Sequence, residues 1–230
     1  MTTDNIEVLT HSSIRIAGEK IIYFDPFEVG ISDKYASAPE PHDADIIFVT
    51  HEHHDHFDPA SIKKLAKADT ILVAPKSCKK KILDDGPITE EWCEFLKPGE
   101  EIEIDGVSIK AVRAYNVGKK FHRKHYDWLG YVVSMKAAQD EAAVTYYVAG
   151  DTDATKEASE VRCDVALLPV GGTYTMTADE AAELALAIRP KTAIPTHYGT
   201  IIGSKADAER FLELTTALPQ SCSEDILRSF

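Results

Sequence analysis

Residues 50 to 56 read THEHHDH, a run that holds four of the nine histidines of the chain and an aspartate. The run follows IIFV, a short apolar segment that is typical of a buried β-strand. On an extended segment His51, His53 and Asp55 share one side, whereas His54 points away. Imidazole and carboxylate groups bind zinc and similar divalent ions, and ligands close together on one loop lower the entropy cost of ordering a site. The run therefore predicts a metal site; from these residues alone, the alternative is a solvated loop that binds metal adventitiously.

Three other apolar segments end in polar residues in the same way. TYYVA ends at GDTD, VALLPV ends at GGTYT, and TAIP ends at THYG. Near-continuous apolar runs are typical of strands that are covered on both faces. Because open sheets bind ligands beyond the ends of their strands, we expect the four loops to line one cleft.

Composition favours one globular domain that spans residues 1–230, with 44% hydrophobic and 27% charged residues. The net charge of -13 argues against broad nucleic-acid binding and against attraction to an anionic membrane surface. The four cysteines form no C-x-x-C pair, and neither a signal peptide nor a membrane-spanning apolar run is apparent. These features predict reduced thiols and a cytoplasmic location. They leave the oligomeric state open.

Local signals predict alternating strands and helices. IEVL, SIRIA and IIYF are predicted to be strands, and EIEIDGVSIKAV is predicted to form a hairpin that turns at Asp-Gly. Asp58 precedes a proline and should cap a helix over ASIKKLAK. Thr177 and Glu180 form a capping box before AAELALAI, and Ser204 is placed to cap a last helix.

Taken in order, THEHHDH, AGDTD and PTHYG resemble the metal-binding motifs of the metallo-β-lactamase fold superfamily. HSSIRI, IIYFDPF and LLPVGGTYTMTADEAAELALAIRPKTAIPTHYG also resemble small metal-dependent hydrolases related to ascorbate-6-phosphate lactonase and N-acylphosphatidylethanolamine phospholipase D. The resemblance covers the chain from about His11 to Gly199. It implies an α/β fold, a four-layer αββα sandwich in which two packed sheets carry helices outside and a metal cleft at one edge.

The resemblance also implies two divalent metal ions, zinc first, with manganese or iron as alternatives. Two ions about 3.5–4 Å apart can share a water and lower its pKa towards neutrality. The ligands of the first ion would be His51 and His53. The second ion would bind Asp55, His56 and His197, and Asp151 would bridge the two. Asp55 and Asp151 would also be catalytic, since either could orient the attacking hydroxide.

One ligand position departs from the superfamily pattern. The superfamily usually supplies a third histidine to the first metal from the end of a mid-chain strand, but here VSIKAVRAYN ends in Asn116, a poorer zinc ligand. The following GKKFHRKHYDW contains His122 and His125. Its KKFHRK resembles a recurring PFHPK-like segment of this branch, which favours His122. A single metal, or an unequal pair, stays open.

The same loop suggests how substrate is bound. It is an island of basic residues in an acidic chain: Lys119, Lys120, Arg123 and Lys124. We expect it to attract an anionic small molecule, such as a phosphate or carboxylate, with a solvated loop as the alternative. Asn116 and His122 are further candidate substrate contacts. So are Gly172, whose backbone could approach substrate, and His11, for which a capping or core role is equally compatible.

The family implies a hydrolase in which a metal-bound hydroxide attacks an ester, lactone, phosphoester or amide. A non-catalytic metal- or ligand-binding protein on the same fold is the alternative that the missing histidine at Asn116 keeps open. An iron-type redox enzyme ranks lower, because the diiron relatives typically carry Glu where this chain has His53. The net acidity weakens a nuclease function.

Overall fold

The computed structural model describes residues 5–29, 42–136, 142–216 and 220–221. Within these residues the chain forms two β-sheets and five α-helices.

The first sheet contains six strands in chain order, antiparallel across its first three strands and parallel thereafter. Its strands are β1 (Ile6–Thr10), β2 (Ser13–Ala17), β3 (Ile21–Phe24), β4 (Ala44–Phe48), β5 (Ala66–Pro75) and β6 (Cys93–Leu96). The predicted strands IEVL, SIRIA and IIYF are therefore confirmed. The parallel pairing brings the carboxyl ends of β3 and β4 to the same edge, which becomes one wall of the site.

The second sheet contains seven strands, and strands that are neighbours in this sheet are also consecutive in the chain. They are β7 (Glu101–Ile104), β8 (Val107–Arg113), β9 (Leu129–Lys136), β10 (Ala143–Val148), β11 (Val165–Pro169), β12 (Thr192–Thr196) and β13 (Gln220–Ser221). Pairing is antiparallel from β7 to β10 and parallel from β10 to β13. The predicted hairpin is confirmed: β7 and β8 meet at Asp105 and Gly106, both with positive φ, as a two-residue turn requires.

The helices are α1 (Pro59–Leu65), α2 (Lys79–Asp85), α3 (Lys156–Ser159), α4 (Ala178–Ile188) and α5 (Lys205–Leu214). The predicted caps are confirmed: Asp58 accepts a hydrogen bond from the backbone N–H of Ala60, and capping boxes begin α4 and α5. Helix α1 is shorter than the run ASIKKLAK predicted. It ends at Leu65 because Ala66 begins β5 and pairs with Ala44 of β4, so sheet hydrogen bonds replace helical ones.

Apolar side chains fill three layers between these elements. Residues of both sheets form the central layer, where the rings of Phe24 and Phe48 stack at 4.5 Å and contact Tyr131. Helices α1 and α2 bury Ile62 and Ile82 on the outer face of the first sheet, while α4 and α5 cover the outer face of the second. The architecture is the predicted αββα sandwich.

Two further observations concern the expected environment of the protein. In the described part of the chain, no helix is both long and apolar enough to cross a membrane. Cys78, Cys93 and Cys163 are free thiols, whereas Cys222 lies outside the described residues.

Candidate metal centre

Histidines and aspartates from the ends of several strands meet at one edge of the sandwich. THEHHDH follows β4, Asp151 follows β10, and His197 follows β12. His11 comes from the turn between β1 and β2, and His122 comes from the long loop between β8 and β9. The four loops inferred from strand ends all line one cleft, which confirms that prediction. His11 and His122 reach the site in addition, from the connections within antiparallel pairs.

Three histidine nitrogens form a first group. The Nδ1 atom of His53 lies 3.0 Å from Nε2 of His51 and 3.2 Å from Nε2 of His122. Nitrogen ligands on a tetrahedral zinc, each about 2.1 Å from the ion, are separated by about 3.4 Å. The three imidazoles are therefore already spaced as ligands of one ion.

A second group lies beside the first and contains one carboxylate and three imidazoles. The Oδ2 atom of Asp55 is 3.3 Å from Nε2 of His11, 3.7 Å from Nε2 of His56 and 4.0 Å from Nε2 of His197. All four residues are buried. His54, in contrast, has an 81% exposed side chain. The expected alternation along an extended run is not the cause, because residues 53–57 form a turn in which the backbone N–H groups of His56 and Phe57 donate to the carbonyl oxygen of His53.

Asp151 lies between the two groups. Its Oδ2 atom is 3.2 Å from Nε2 of His122, in the first group, and 3.2 Å from Nε2 of His197, in the second. Its Oδ1 atom is 3.3 Å from Nε2 of His56. A buried carboxylate in contact with both groups has the position that a ligand shared by two cations requires.

Buried polar atoms at the site lack well-aligned hydrogen bonds from the described part of the chain. They are Nε2 of His11, His56 and His197, and Oδ1 of Asp151. Buried donors and acceptors normally have partners, and a site for a bound ion is a recognised explanation for exceptions. The donor set thus fits divalent metal ions on its own geometry.

Burial and mutual charge set protonation states that suit metal binding. Burial lowers the pKa of His122 to about 4 and lowers that of His51 well below its usual value, so both imidazoles are neutral at pH 7. Burial alone would raise the pKa of Asp55 and Asp151, but nearby histidines outweigh it and hold both pKa values below the usual range. Neutral imidazole and ionised carboxylate are the forms that bind metals.

Asp25 anchors one histidine of each group, although the sequence analysis did not place it in the site. Its Oδ2 atom lies 2.7 Å from Nδ1 of His56 and accepts a hydrogen bond from the hydroxyl of Thr50 at 2.6 Å. That hydroxyl lies 3.1 Å from Nδ1 of His51. Both imidazoles therefore turn Nε2 towards the site.

The pKa values of Asp25 and of its partner His56 are both shifted upwards. Burial raises the pKa of Asp25. Burial opposes protonation of His56, but the charges of Asp151 and Asp25 outweigh it and raise the pKa of His56 well above its usual value. A cation bound at Nε2 of His56 must displace that proton.

The backbone is strained at four of these residues. His11, Asp25, His122 and His197 have φ values of 50, 44, 55 and 59 degrees, in the left-handed region that side chains other than glycine rarely adopt. Such conformations cost about 1–3 kcal/mol each and cluster at functional sites. The surrounding fold therefore imposes the site geometry.

The packing around the site requires a glycine at position 171, next to Gly172, which the sequence analysis had singled out. Gly172 has φ of 83 degrees in a turn, and a Cβ there would meet only Thr177. At Gly171, a Cβ would lie 2.5 Å from the carbonyl oxygen and 3.1 Å from Nδ1 of His197. Gly171 thus allows the strand end to pack against His197, and contact of Gly172 with substrate stays a prediction.

Of the two loop histidines, the structure brings His122 into the site and leaves His125 outside. Nδ1 of His122 lies 3.1 Å from the carbonyl oxygen of Tyr174 and 3.2 Å from the side-chain nitrogen of Asn116, and these contacts hold the ring with Nε2 facing the first group. Asn116 lies behind His122, and its side-chain amide donates to the same carbonyl at 2.5 Å. His125 is exposed and packs on Tyr126.

Two of the four basic side chains of the loop are paired with acidic residues. Lys119 binds Asp153 at 2.5 Å and the carbonyl oxygen of Thr175, and Lys124 binds Glu157 at 2.8 Å. Lys120 and Arg123 are exposed, and neither lines the pocket at the site.

That pocket encloses about 290 Å³ beside the metal-binding groups. It is lined by His53, His54, Asp55, Phe121, His122, Asp151, Tyr174, His197 and Ile201. Trp128, which the sequence analysis also missed, is buried with its ring 4.6 Å from that of His51 and 4.8 Å from that of His53. It closes the side of the first group away from the pocket opening.

A buried cluster of imidazoles and carboxylates at the edge of an αββα sandwich defines a metallohydrolase class, and comparison with known proteins agrees. The model of the Beta-lactamase superfamily domain matches residues 5–197. A UPF0173 metal-dependent hydrolase of Thermoplasma acidophilum is 33% identical over 92% of this chain and 91% of that protein. A UPF0173 metal-dependent hydrolase of Pyrococcus abyssi is 32% identical over 91% of each chain.

Solved structures show the same fold. A crystal structure from Parabacteroides distasonis has a TM-score of 0.74 and 30% identity, covering 94% of this chain and 90% of that one. Igni18, a metallo hydrolase of Ignicoccus hospitalis, has a TM-score of 0.72 at 21% identity, covering 94% and 93%. The chain belongs to the metallo-β-lactamase superfamily and is a metal-dependent hydrolase of it. The narrower resemblance to two named hydrolases stays a prediction.

Proposed function

We propose that this protein uses two divalent metal ions to hydrolyse an ester, lactone or phosphoester bond in a small molecule. The observation that carries the proposal is the position of Asp151, whose carboxylate contacts histidines of both groups at 3.2–3.3 Å. A single ion could use the histidines on one side of this carboxylate only, so the second group of histidines on its other side supports a second ion.

The proposed ligands follow the two groups. The first ion would be held by His51, His53 and His122, and the second by Asp55, His56 and His197. Asp151, which contacts histidines of both groups, would be available to either ion. Nitrogen-rich donors with few carboxylates favour zinc over manganese, with iron as a further alternative. His11 supports the second group, since its Nε2 lies 3.3 Å from Asp55 and its carbonyl oxygen accepts from the backbone N–H of His197 at 2.9 Å.

When bound, the ions supply a Lewis acid and lower the pKa of water. The residues of the chain then orient the reactants. Asp55 lines the pocket with a 13% exposed side chain, and its low pKa keeps it ionised at neutral pH. It accepts a hydrogen bond from the attacking water and aims the lone pair at the scissile carbonyl or phosphoryl centre. The small, partly enclosed pocket limits competing solvent.

Two expectations from sequence are carried forward only as predictions. An anionic substrate finds limited support, because Lys119 and Lys124 are already paired with Asp153 and Glu157. We further propose that the chain acts as a single domain, supported by the apolar layer that both sheets share.

Metal content and metal-dependent turnover test the proposal together. Protein purified without chelators should contain one to two equivalents of zinc or a similar ion by elemental analysis. It should hydrolyse a generic lactone or bis(p-nitrophenyl) phosphate, and lose this activity with chelator and regain it with zinc or manganese. Stoichiometric metal without turnover of any such substrate would favour the non-catalytic alternative. Metal-free protein that gains no thermal stability from added zinc or manganese would contradict the metal site itself.

A further inference from the structure

The mouth of the pocket is largely apolar, with the exposed imidazole of His54 as its polar member, although the floor is made of histidines and aspartates. Phe121, Tyr174 and Ile201 line it with 43%, 38% and 43% of their surface exposed. In the described part of the chain only seven large apolar side chains are exposed to this degree, and three of them meet here. Exposed apolar side chains are unremarkable singly, but a cluster beside a polar pocket indicates a binding surface.

Three separate loops bring these side chains together. Phe121 lies in the β8–β9 loop, Tyr174 in the β11–α4 loop and Ile201 in the β12–α5 loop. The rings of Phe121 and Tyr174 meet edge to face at 5.3 Å between centroids. The arrangement is thus a defined surface built by tertiary structure, and not one apolar stretch of sequence.

Hydrogen bonds hold the first two loops in register. The side-chain amide of Asn116 donates to the carbonyl oxygen of Tyr174, and Lys119 donates to the carbonyl oxygen of Thr175. His122, next to Phe121, contacts the same Tyr174 carbonyl through Nδ1. Tyr174 therefore positions a proposed metal ligand with its backbone while its ring faces the pocket mouth.

The charged residues nearby do not oppose an apolar occupant. Lys119 is turned to Asp153, and Lys120 extends along the face of Phe121, with Nζ 5.5 Å from the ring centroid. Arg123 donates through Nε to the carbonyl oxygen of Lys120. A carboxylate or phosphate at the mouth would therefore have to compete with Asp153 for Lys119, while Lys120 and Arg123 do not line the pocket.

We propose that Phe121, Tyr174 and Ile201 bind an apolar acyl or aryl group of the substrate, and that this group places the adjacent scissile bond against Asp55 and Asp151. This inference rests on the proposed hydrolase function, because it takes the histidine–aspartate floor as the reaction centre. The pocket volume of about 290 Å³ fits a group on the order of a phenyl ring or short alkyl chain. The surface thus selects the substrate class: a small ester or lactone with an apolar substituent.

Binding of hydroxamates to the metal-loaded protein tests this without requiring turnover. Acetohydroxamate and benzohydroxamate carry the same metal-chelating head, so their affinity ratio measured by calorimetry reports the contribution of the ring. We expect benzohydroxamate to bind about tenfold more tightly or better, since burial of a ring removes substantial apolar surface from water. In the double variant Phe121→Ala/Tyr174→Ala the ratio should fall to about threefold or less, with acetohydroxamate affinity unchanged.

Trp92→Ala is the matched control, because Trp92 is an aromatic residue of similar exposure that does not line this pocket. In this variant the ratio of benzohydroxamate affinity to acetohydroxamate affinity should equal that of the unmodified protein. Because each hydroxamate chelates metal with its own strength in every variant, comparing the ratio between variants removes that contribution. An unchanged ratio in the double variant, or equal affinities in the unmodified protein, overturns the apolar-group inference and leaves the proposed function standing. Failure of both hydroxamates to bind metal-loaded protein overturns the proposed function, and the inference with it.

Discussion

The carboxylate of Asp25 orients His56 across 31 residues of sequence, with Nδ1 of His56 2.7 Å from Oδ2 of Asp25. The same oxygen holds the Thr50 hydroxyl, which in turn contacts Nδ1 of His51. Because β3 and β4 are parallel neighbours, Asp25 and Thr50 leave the sheet at the same edge. One buried carboxylate therefore fixes the tautomer and the direction of a histidine in each metal-binding group.

Asp25→Asn should weaken metal binding without removing a proposed ligand. Both carboxylate oxygens accept, Oδ1 from the backbone N–H of Thr50 and Oδ2 from the Thr50 hydroxyl and Nδ1 of His56. The NH2 group of an amide must therefore face a donor on one side, so His51 and His56 lose their fixed orientation. Partners of this kind typically contribute 10–100-fold to metal affinity. Competition with a zinc indicator would measure the change. Asp45→Asn is the control, since Asp45 is a partly buried aspartate of the same sheet that binds Ile21 and Lys67 away from the site.

Asp151→Ala should remove the shared ligand, and we expect loss of at least one equivalent of metal and of most turnover. The fold should persist, because the apolar layer between the sheets is unaffected. Elemental analysis, circular dichroism and turnover with the generic substrates would be measured on the same preparation. Asp179→Ala, at an exposed position of α4, is the control. Unchanged metal content and turnover in Asp151→Ala would show that this carboxylate is no ligand.

His122→Ala should weaken zinc binding and His125→Ala should not. Nε2 of His122 lies 3.2 Å from both His53 and Asp151, whereas His125 is exposed beside Tyr126. The readout is zinc stoichiometry at limiting concentrations, where the loss of one of three imidazoles costs affinity most visibly. Equal effects of the two substitutions would contradict the assignment of His122 to the first ion.

The metal-free protein should lose stability as pH falls from about 6.5 to about 4. Burial lowers the pKa of His11 and His122 to about 4, and also lowers the pKa values of His51 and His53. In this window the unfolded chain binds more protons than the folded one, so the free energy of unfolding decreases with decreasing pH, by at most about 1.4 kcal/mol per pH unit for each histidine. Asp25, whose pKa burial raises, acts in the opposite direction, and so does His56, whose raised pKa keeps it protonated in the folded chain while the unfolded imidazole still titrates near pH 6.5. Asp55 and Asp151, whose pKa values are lowered, act in the same direction as the four histidines as the pH approaches 4.

Urea titrations of the metal-free protein at pH 7, 6 and 5 would measure this dependence. His122→Gln should flatten it by removing one titrating group. Added zinc should raise the urea concentration at the unfolding midpoint clearly at pH 7 and much less at pH 5, because protons compete with zinc for the same histidine nitrogens. A free energy of unfolding that is independent of pH across this range would show that these imidazoles are not buried in the neutral form.

Local chemistry explains how much could be predicted from sequence. Strands, hairpin and caps depend on neighbours within a few residues, and the structure has them where IIYF, Asp58 and Thr177 predicted. The residues of THEHHDH, with Asp151 and His197, meet because each follows a strand of the two-sheet sandwich that the resemblance implied. The end of α1 was missed because sheet pairing of Ala66 competes with the helix.

Features that depend on packing between distant segments were not predictable in this way. Asp25 was visible only as the end of a strand, and its role emerges when Thr50 and His56 are placed beside it. Two residues of the basic island, Lys119 and Lys124, form ion pairs with Asp153 and Glu157, which follow β10 and are distant from the loop in sequence. The apolar mouth combines side chains from three loops, none of which carries an apolar motif by itself.

The left-handed backbone at His11, Asp25, His122 and His197 has a consequence for how the ion is chosen. Fixed ligand positions are imposed by the fold before any ion arrives, so the protein does not reshape itself to suit one element. Preset positions of imidazoles and carboxylates would therefore select among divalent transition metals through their geometry and ligand type, with the supply of free metal deciding between ions that fit equally well. The growth medium of the producing culture should change which element is found in the purified protein only among the ions that this geometry accepts.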